Sequence, residues 1–138
     1  MKTQKRIIFC LSLFVLGFVS CDNDDDLSAN ISINEGPNGD IGGDFTGNGG
    51  STSRTFTWRN NLSTADYNAD ITSAMGGIFQ MEVKDADGET VLNRSLEGNK
   101  EPDSFSGVTS SGTAGDWSVT ITVINFAGDG SFTLSAGD

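Results

Sequence analysis

The sequence predicts an all-β protein: one antiparallel β-sandwich of about seven to eight strands, following a signal peptide and a flexible linker. Three observations carry this. Apolar and polar residues alternate with period two in segment after segment beyond residue 53, turn clusters of Gly, Asp and Asn punctuate them, and no long stretch there has helical periodicity alone. Past residue 21 the chain holds 17 Leu, Ile and Val, two Met and nine aromatic residues, enough for one core. A length of 138 residues allows one ordinary domain.

In chain order, Thr55-Phe56-Thr57-Trp58 sets Phe56 and Trp58 on one face of a strand near 54–59. Residues 62–77 admit two readings. Ala65, Tyr67, Ala69 and Ile71 alternate with Asp66, Asn68, Asp70 and Thr72, as in a half-buried strand at 65–72. Ser63-Thr64-Ala65-Asp66 also has the form of a capping box, with Tyr67, Ile71, Ala74 and Met75 at helical spacing and Gly76 at the C-cap position. The strand is preferred, because a lone helix among strands has to find a face to cover. Phe79 to Val83 alternates into the turn Asp85-Ala86-Asp87-Gly88, and Thr90 to Leu96 continues beyond it; an Asp-Gly pair between such runs predicts a hairpin of strands 78–84 and 89–97. A short strand is expected at 103–108. Trp117, Val119, Ile121 and Val123 form the clearest inward face, in a strand at 116–125. Gly128-Asp129-Gly130 is expected to turn the chain into a last strand at 131–136.

Before this domain lie two further segments. Lys2, Lys5 and Arg6 precede the apolar run Ile7 to Val19, the layout of a signal peptide over residues 1–20. As a helix that run would extend about 20 Å, short of the roughly 30 Å hydrocarbon core. Residues 21–52 are rich in Asp, Asn, Gly and Ser, and read as a flexible acidic tether ahead of a domain at 53–138; Ile31-Ser32-Ile33 alternates and is a candidate extra strand.

The segment Gly17-Phe18-Val19-Ser20-Cys21 resembles a bacterial lipobox, which implies a lipid on Cys21. The following Asp22, Asp24, Asp25 and Asp26 resemble the acidic export tag of Gram-negative surface lipoproteins. The implied location is the outer membrane, lipid-anchored and facing the cell exterior. The C-terminal half, from Asp85–Gly88 through Ser104-Phe105-Ser106 and Gly112 to Ile121 to Gly128–Leu134, resembles pre-peptidase C-terminal domains and related jelly-roll modules. That resemblance implies a jelly-roll sandwich without catalytic activity.

Charge and composition bound the chemistry. The 19 Asp and Glu against eight Lys and Arg give −11, which opposes nucleic-acid binding, since that affinity rests on basic side chains displacing counterions. There is no His, so Ser-His-Asp, Cys-His and His-metal chemistry are excluded. With the signal segment removed and Cys21 lipidated, no thiol remains, and Arg54, Arg59, Lys84, Arg94 and Lys100 are the only bases, for a side-chain charge of −14. The membrane is then a partner through the lipid alone.

Two groups of residues are candidate sites. Asp85, Asp87 and Glu89 alternate around a turn, a pattern of oxygen ligands for Ca²⁺ that Asp66 with Asp70, or Asp116 with Asp129, would complete; an ordinary Asp-Gly hairpin explains the same residues more simply. Trp58, Tyr67 and Trp117 are candidate aromatic contacts for a sugar, although both tryptophans lie on the apolar faces of their strands, where core packing accounts for them. The function expected is a non-catalytic cell-surface interaction module whose partner is a surface protein or polysaccharide, with no nucleic acid and no required cofactor. A carbohydrate-binding module, calcium-dependent if the Asp85 group holds an ion, is the alternative; a small hydrolase using two carboxylates is the second.

Overall fold

The computed structural model describes residues 26–73 and 75–137. They form eight strands and no helix: β1 Ala29–Ile31, β2 Asn34–Glu35, β3 Ile41–Asn60, β4 Ala65–Thr72, β5 Ile78–Lys84, β6 Thr90–Glu97, β7 Ser104–Val108 and β8 Gly115–Ala136. All pairings are antiparallel. The predicted all-β class is therefore observed, with residues 65–72 a strand and Asp85–Gly88 a hairpin turn in which Gly88 takes φ 84°.

The two long strands organise the rest. β3 and β8 pair along almost their whole lengths, from Ile41 opposite Leu134 to Asn60 opposite Gly115, with register shifts between Asn48 and Thr52. At those shifts the ribbon folds over, and each of its halves carries different neighbours. One leaf has β1 and β2 on the first half of β3, then the second half of β8, then β4 and β7. The other has the second half of β3, the first half of β8, then β5 and β6. The leaves face each other, because rings from strands that share no ladder touch: Phe45 of β3 stacks on Phe79 of β5 with centroids 4.4 Å apart and planes 4° from parallel, and Phe79 meets Phe105 of β7 at 6.1 Å. This is a β-sandwich made from one folded sheet.

Alternation places the core. Trp117, Val119, Ile121 and Val123 of β8 are wholly buried, opposite Phe79, Met81 and Val83 of β5 along the ladder. On the facing leaf Ala69 lies between Phe105 and Phe132 on the adjoining strands, a small residue leaving room for two rings. Outward positions are polar, with Thr55 bonded to Thr120 and Ser53 to Thr122 across the ladder, each at 2.9 Å.

Two sequence expectations are corrected. The Gly-rich segment read as tether up to residue 52 carries β1, β2 and the first part of β3, and the 52/53 boundary falls inside β3. Glycine is required there by close approach. A Cβ on Gly43 would strike the Ser32 carbonyl, one on Gly47 the Phe126 carbonyl, and one on Gly50 the backbone of Ser28. Likewise Gly128-Asp129-Gly130 makes no hairpin; it continues β8 past the fold. Gly130 lies under the Phe45 ring, and a Cβ there would overlap Phe45 Cζ and the Asp70 carbonyl. The signal segment, Cys21 and Asp22, Asp24 and Asp25 lie outside the described residues, and Asp26 is exposed just ahead of β1.

The ring that joins the leaves gives a test. Phe45→Ala removes the stack on Phe79 and the cover over Gly130, and should cost roughly 3–5 kcal/mol in urea unfolding, as buried Phe deletions do. A loss below about 1 kcal/mol would mean that the leaves are held together elsewhere.

Candidate functional site

Asp85 ends the inward register of β5 and is only 6% exposed. Its Oδ1 accepts the backbone N–H groups of Asp87 (3.0 Å) and Glu89 (2.9 Å), and its Oδ2 accepts that of Thr113 (2.8 Å). The Thr113 bond is the largest influence holding this carboxyl below its ordinary value of 3.8, against the opposing effect of burial. Thr113 also donates its hydroxyl to Asp87 Oδ2 at 2.6 Å, and its carbonyl accepts from Ala86 N–H and from the Trp117 indole. The residue proposed as a calcium ligand is thus the acceptor that ties the β5–β6 turn to the β7–β8 loop. Asp87 joins the same knot through Thr113, and Glu89 contributes its main chain. The acids that were to complete an ion site lie apart: Asp66 and Asp70 on the exposed face of β4, with Asp70 accepting from Ser131, and Asp116 with Asp129 in different leaves, Asp116 paired to Arg59 at 3.3 Å. Among the described residues no three such groups are placed to hold a metal.

The two tryptophans are opposite one another in the β3–β8 register and meet edge to face, centroids 6.0 Å apart. Both are buried. Trp58 Nε1 donates to the Gly39 carbonyl at 2.7 Å and Trp117 Nε1 to that of Thr113 at 2.8 Å, so each fixes a loop to the core and neither offers a face to a ligand.

Tyr67 is different. It takes an inward position on β4 yet is only half-buried, because the leaves are open along the edge where β7 faces β6. Opposite it in register is Gly107, whose missing side chain makes room: a Cβ there would sit 2.8 Å from the Tyr67 hydroxyl. From β6, Arg94 reaches across. Its position is inward by parity, between buried Leu92 and Leu96, but its guanidinium is exposed at the rim. Nη1 donates to Tyr67 Oη at 3.2 Å, and the guanidinium carbon lies 4.7 Å from the Phe105 ring centre and 5.9 Å from that of Tyr67. Phe105 in turn meets Tyr67 edge to face at 5.7 Å.

Of the three aromatic candidates, then, Tyr67 alone is accessible, and Arg94, Phe105 and Gly107, which the sequence did not single out, lie beside it. The readable signal was Arg94: in the alternating run Leu92 to Leu96 it is a cation at an apolar parity. The rest of the rim near this edge is the 98–103 loop, where depressions of about 370 and 380 Å³ are lined by Glu97, Lys100 and Glu101, and Lys100 pairs with Glu97 at 3.2 Å.

No protein-family model matches the chain, and no curated protein matches it. Among solved structures, TmCBM61 in complex with β-1,4-galactotriose aligns with TM-score 0.47 and 12% identity, over 78% of this chain and 86% of that one. A carbohydrate-binding module (CBM6cm-2) from Cellvibrio mixtus lichenase 5A, in complex with cellotriose, gives TM-score 0.45 and 11% identity over 81% and 90%. The C-terminal CBM6 of LamC from Zobellia galactanivorans gives 0.42 and 16% over 78% and 90%.

The Asp85 knot predicts a pH signature. A carboxyl held below its unfolded value stabilises the fold above pH 3.8, and that contribution is lost as the pH falls through the lower, folded value. Asp85→Asn, which removes the charge and turns an amide toward the incoming N–H groups, should lower Tm at pH 7, and the gap to the parent should narrow as the pH falls below 3.8. An equal gap at both ends of a thermal-melt series would show that the charge is not the source.

Proposed function

We propose that this protein is a non-catalytic carbohydrate-binding module, held at the outside of the outer membrane by a lipid on Cys21, with its ligand at the Tyr67–Arg94–Phe105 edge. The supporting observation is the composition of that edge: a half-buried aromatic ring with its hydroxyl at the rim, beside a guanidinium aligned by two rings. A sugar presents an apolar C–H face and a polar margin. A ring takes the first and fixed hydrogen-bond donors take the second. Sheet strands hold these groups, and a site on strands needs little ordering when the ligand arrives. The carboxylate whose titration is displaced, Asp85, is consumed by backbone amides, which supports a binding role over acid–base chemistry.

The lipobox-like segment and the aspartates after it support the anchor and the outward location. The tether is correspondingly short, since the sheet begins at Ala29, only eight positions after Cys21. The domain would then stand close to the membrane, its own acidity keeping it off anionic headgroups.

Two measurements check this. Affinity electrophoresis of the detergent-solubilised chain through gels cast with soluble polysaccharides should show retardation by at least one of them. Tyr67→Ala should weaken that binding about tenfold or more, equivalent to about 1.4 kcal/mol, with the melting transition retained. Free migration in every gel removes the carbohydrate reading, and unchanged retardation of Tyr67→Ala moves the site elsewhere. For the anchor, Cys21→Ser should shift the chain from the membrane fraction to the soluble fraction; continued membrane association argues against lipidation.

A further inference from the structure

We infer that the edge site selects carboxylate-bearing glycans, polyuronates as a class, over neutral ones; this rests on the carbohydrate reading above. The bases of this acidic domain are mostly engaged by the domain itself. Arg59, Lys84 and Lys100 are each within ion-pair distance of an acid, and Arg54 donates to the Ile31 carbonyl. Arg54 and Arg94 both lack a carboxylate among the described residues, although acids outnumber bases by more than two to one in the chain, and of the two it is Arg94 that lies against rings.

Its surroundings orient it without neutralising it. The Phe105 ring centre lies 4.7 Å and that of Tyr67 5.9 Å from the guanidinium carbon, and the in-plane N–H groups of a guanidinium form the fork that matches a carboxylate. Of the five N–H donors, one is engaged among the described residues, by Tyr67 Oη. Because that oxygen accepts from Arg94, the phenolic proton remains to be donated outward. Both polar groups at the rim therefore present donors. A neutral sugar hydroxyl meets such a site with one acceptor oxygen that carries its own proton, whereas a carboxylate brings two oxygens and no proton. Gly107 acts as a positioning residue, since only its missing Cβ lets the Tyr67 hydroxyl lie where Arg94 meets it.

The net charge of −11 makes the discrimination local. A polyanion is repelled by the domain as a whole, so a preference for the acid form of a polymer cannot come from diffuse attraction.

The test compares polymers that share a backbone. The full chain in detergent is titrated with polygalacturonate and with its methyl ester, with alginate as a second polyuronate and neutral galactan and β-glucan as controls. Expected are binding of a polyuronate at least tenfold tighter than of its neutral counterpart, loss of that ratio in Arg94→Gln, and partial loss in Arg94→Lys, which keeps the charge but not the fork. Gly107→Ala should weaken acid binding by displacing the hydroxyl without changing charge. Acid and ester bound equally well, or a preference untouched by Arg94→Gln, overturns the inference. Neutral glycans bound through Tyr67 with no preference for acid would overturn it while leaving the carbohydrate reading intact, whereas binding to no polymer overturns both. Should Arg94→Gln fail to fold, the acid-to-ester ratio of the parent chain still decides.

Discussion

The pairing of β3 with β8 is the constraint on which the rest of the molecule depends. Every other strand belongs to one leaf, but this ribbon belongs to both, so its fold near Asn48–Thr52 sets how the leaves face one another. A folded ribbon has two sharp demands. Backbones must approach closely where it bends, which requires residues without Cβ, and the space so opened on the inside must be filled from further away. Gly47 and Gly50 meet the first demand from β3 and Gly128 from β8, while further along Gly43 admits the Ser32 carbonyl and Gly130 the Phe45 ring. Phe45 meets the second, its ring lying over Gly130 and stacked on Phe79 of the opposite leaf. The same glycine therefore removes a clash and creates a socket.

This explains which parts of the fold could be read from the sequence. Trp117 to Val123 faces a packed leaf on one side and water on the other, so its alternation is uninterrupted and its buried residues are identifiable. Residues 41–50 carry the same structural role on β3, but there Gly43 and Gly47 share the inward face with Ile41 and Phe45 because the neighbouring chain leaves no room for a side chain, and glycine in runs has the composition of a linker. Composition cannot separate a chain that is free from one that is crowded. Gly128-Asp129-Gly130 fails in the same way: the residues of a turn were needed for a bend within one strand. In the site, Tyr67 was legible as an aromatic residue on a half-buried strand. Arg94 was legible only as a misfit in the parity of β6, and Gly107 not at all, since its significance comes from a partner forty positions away.

The polar groups divide between holding the ends and offering contacts. At one end the Asp85 carboxylate gathers three amides, and Thr113 and Trp117 extend the knot into the core, which leaves that end rigid and its acid occupied. At the edge between β6 and β7, the guanidinium of Arg94 lies near rings instead of acids and donates to the Tyr67 hydroxyl. The contrast is physical. A charge surrounded by matched partners strengthens a fold, whereas a charge oriented but unmatched is available to a ligand.

The central ribbon has a temporal consequence as well. Ile41 is bonded opposite Leu134, so the two sides of the central pair are separated by most of the chain, and β1 and β2 have no ladder except the one β3 offers. Closing so long a loop costs entropy before any of the pairing is gained, and topologies dominated by such distant contacts fold slowly. Until β8 has been synthesised, β3 has no partner for its second half and neither leaf has its middle strand. The β5–β6 hairpin is a long pairing between neighbouring segments, whereas the sandwich is complete only once β8 joins its two leaves.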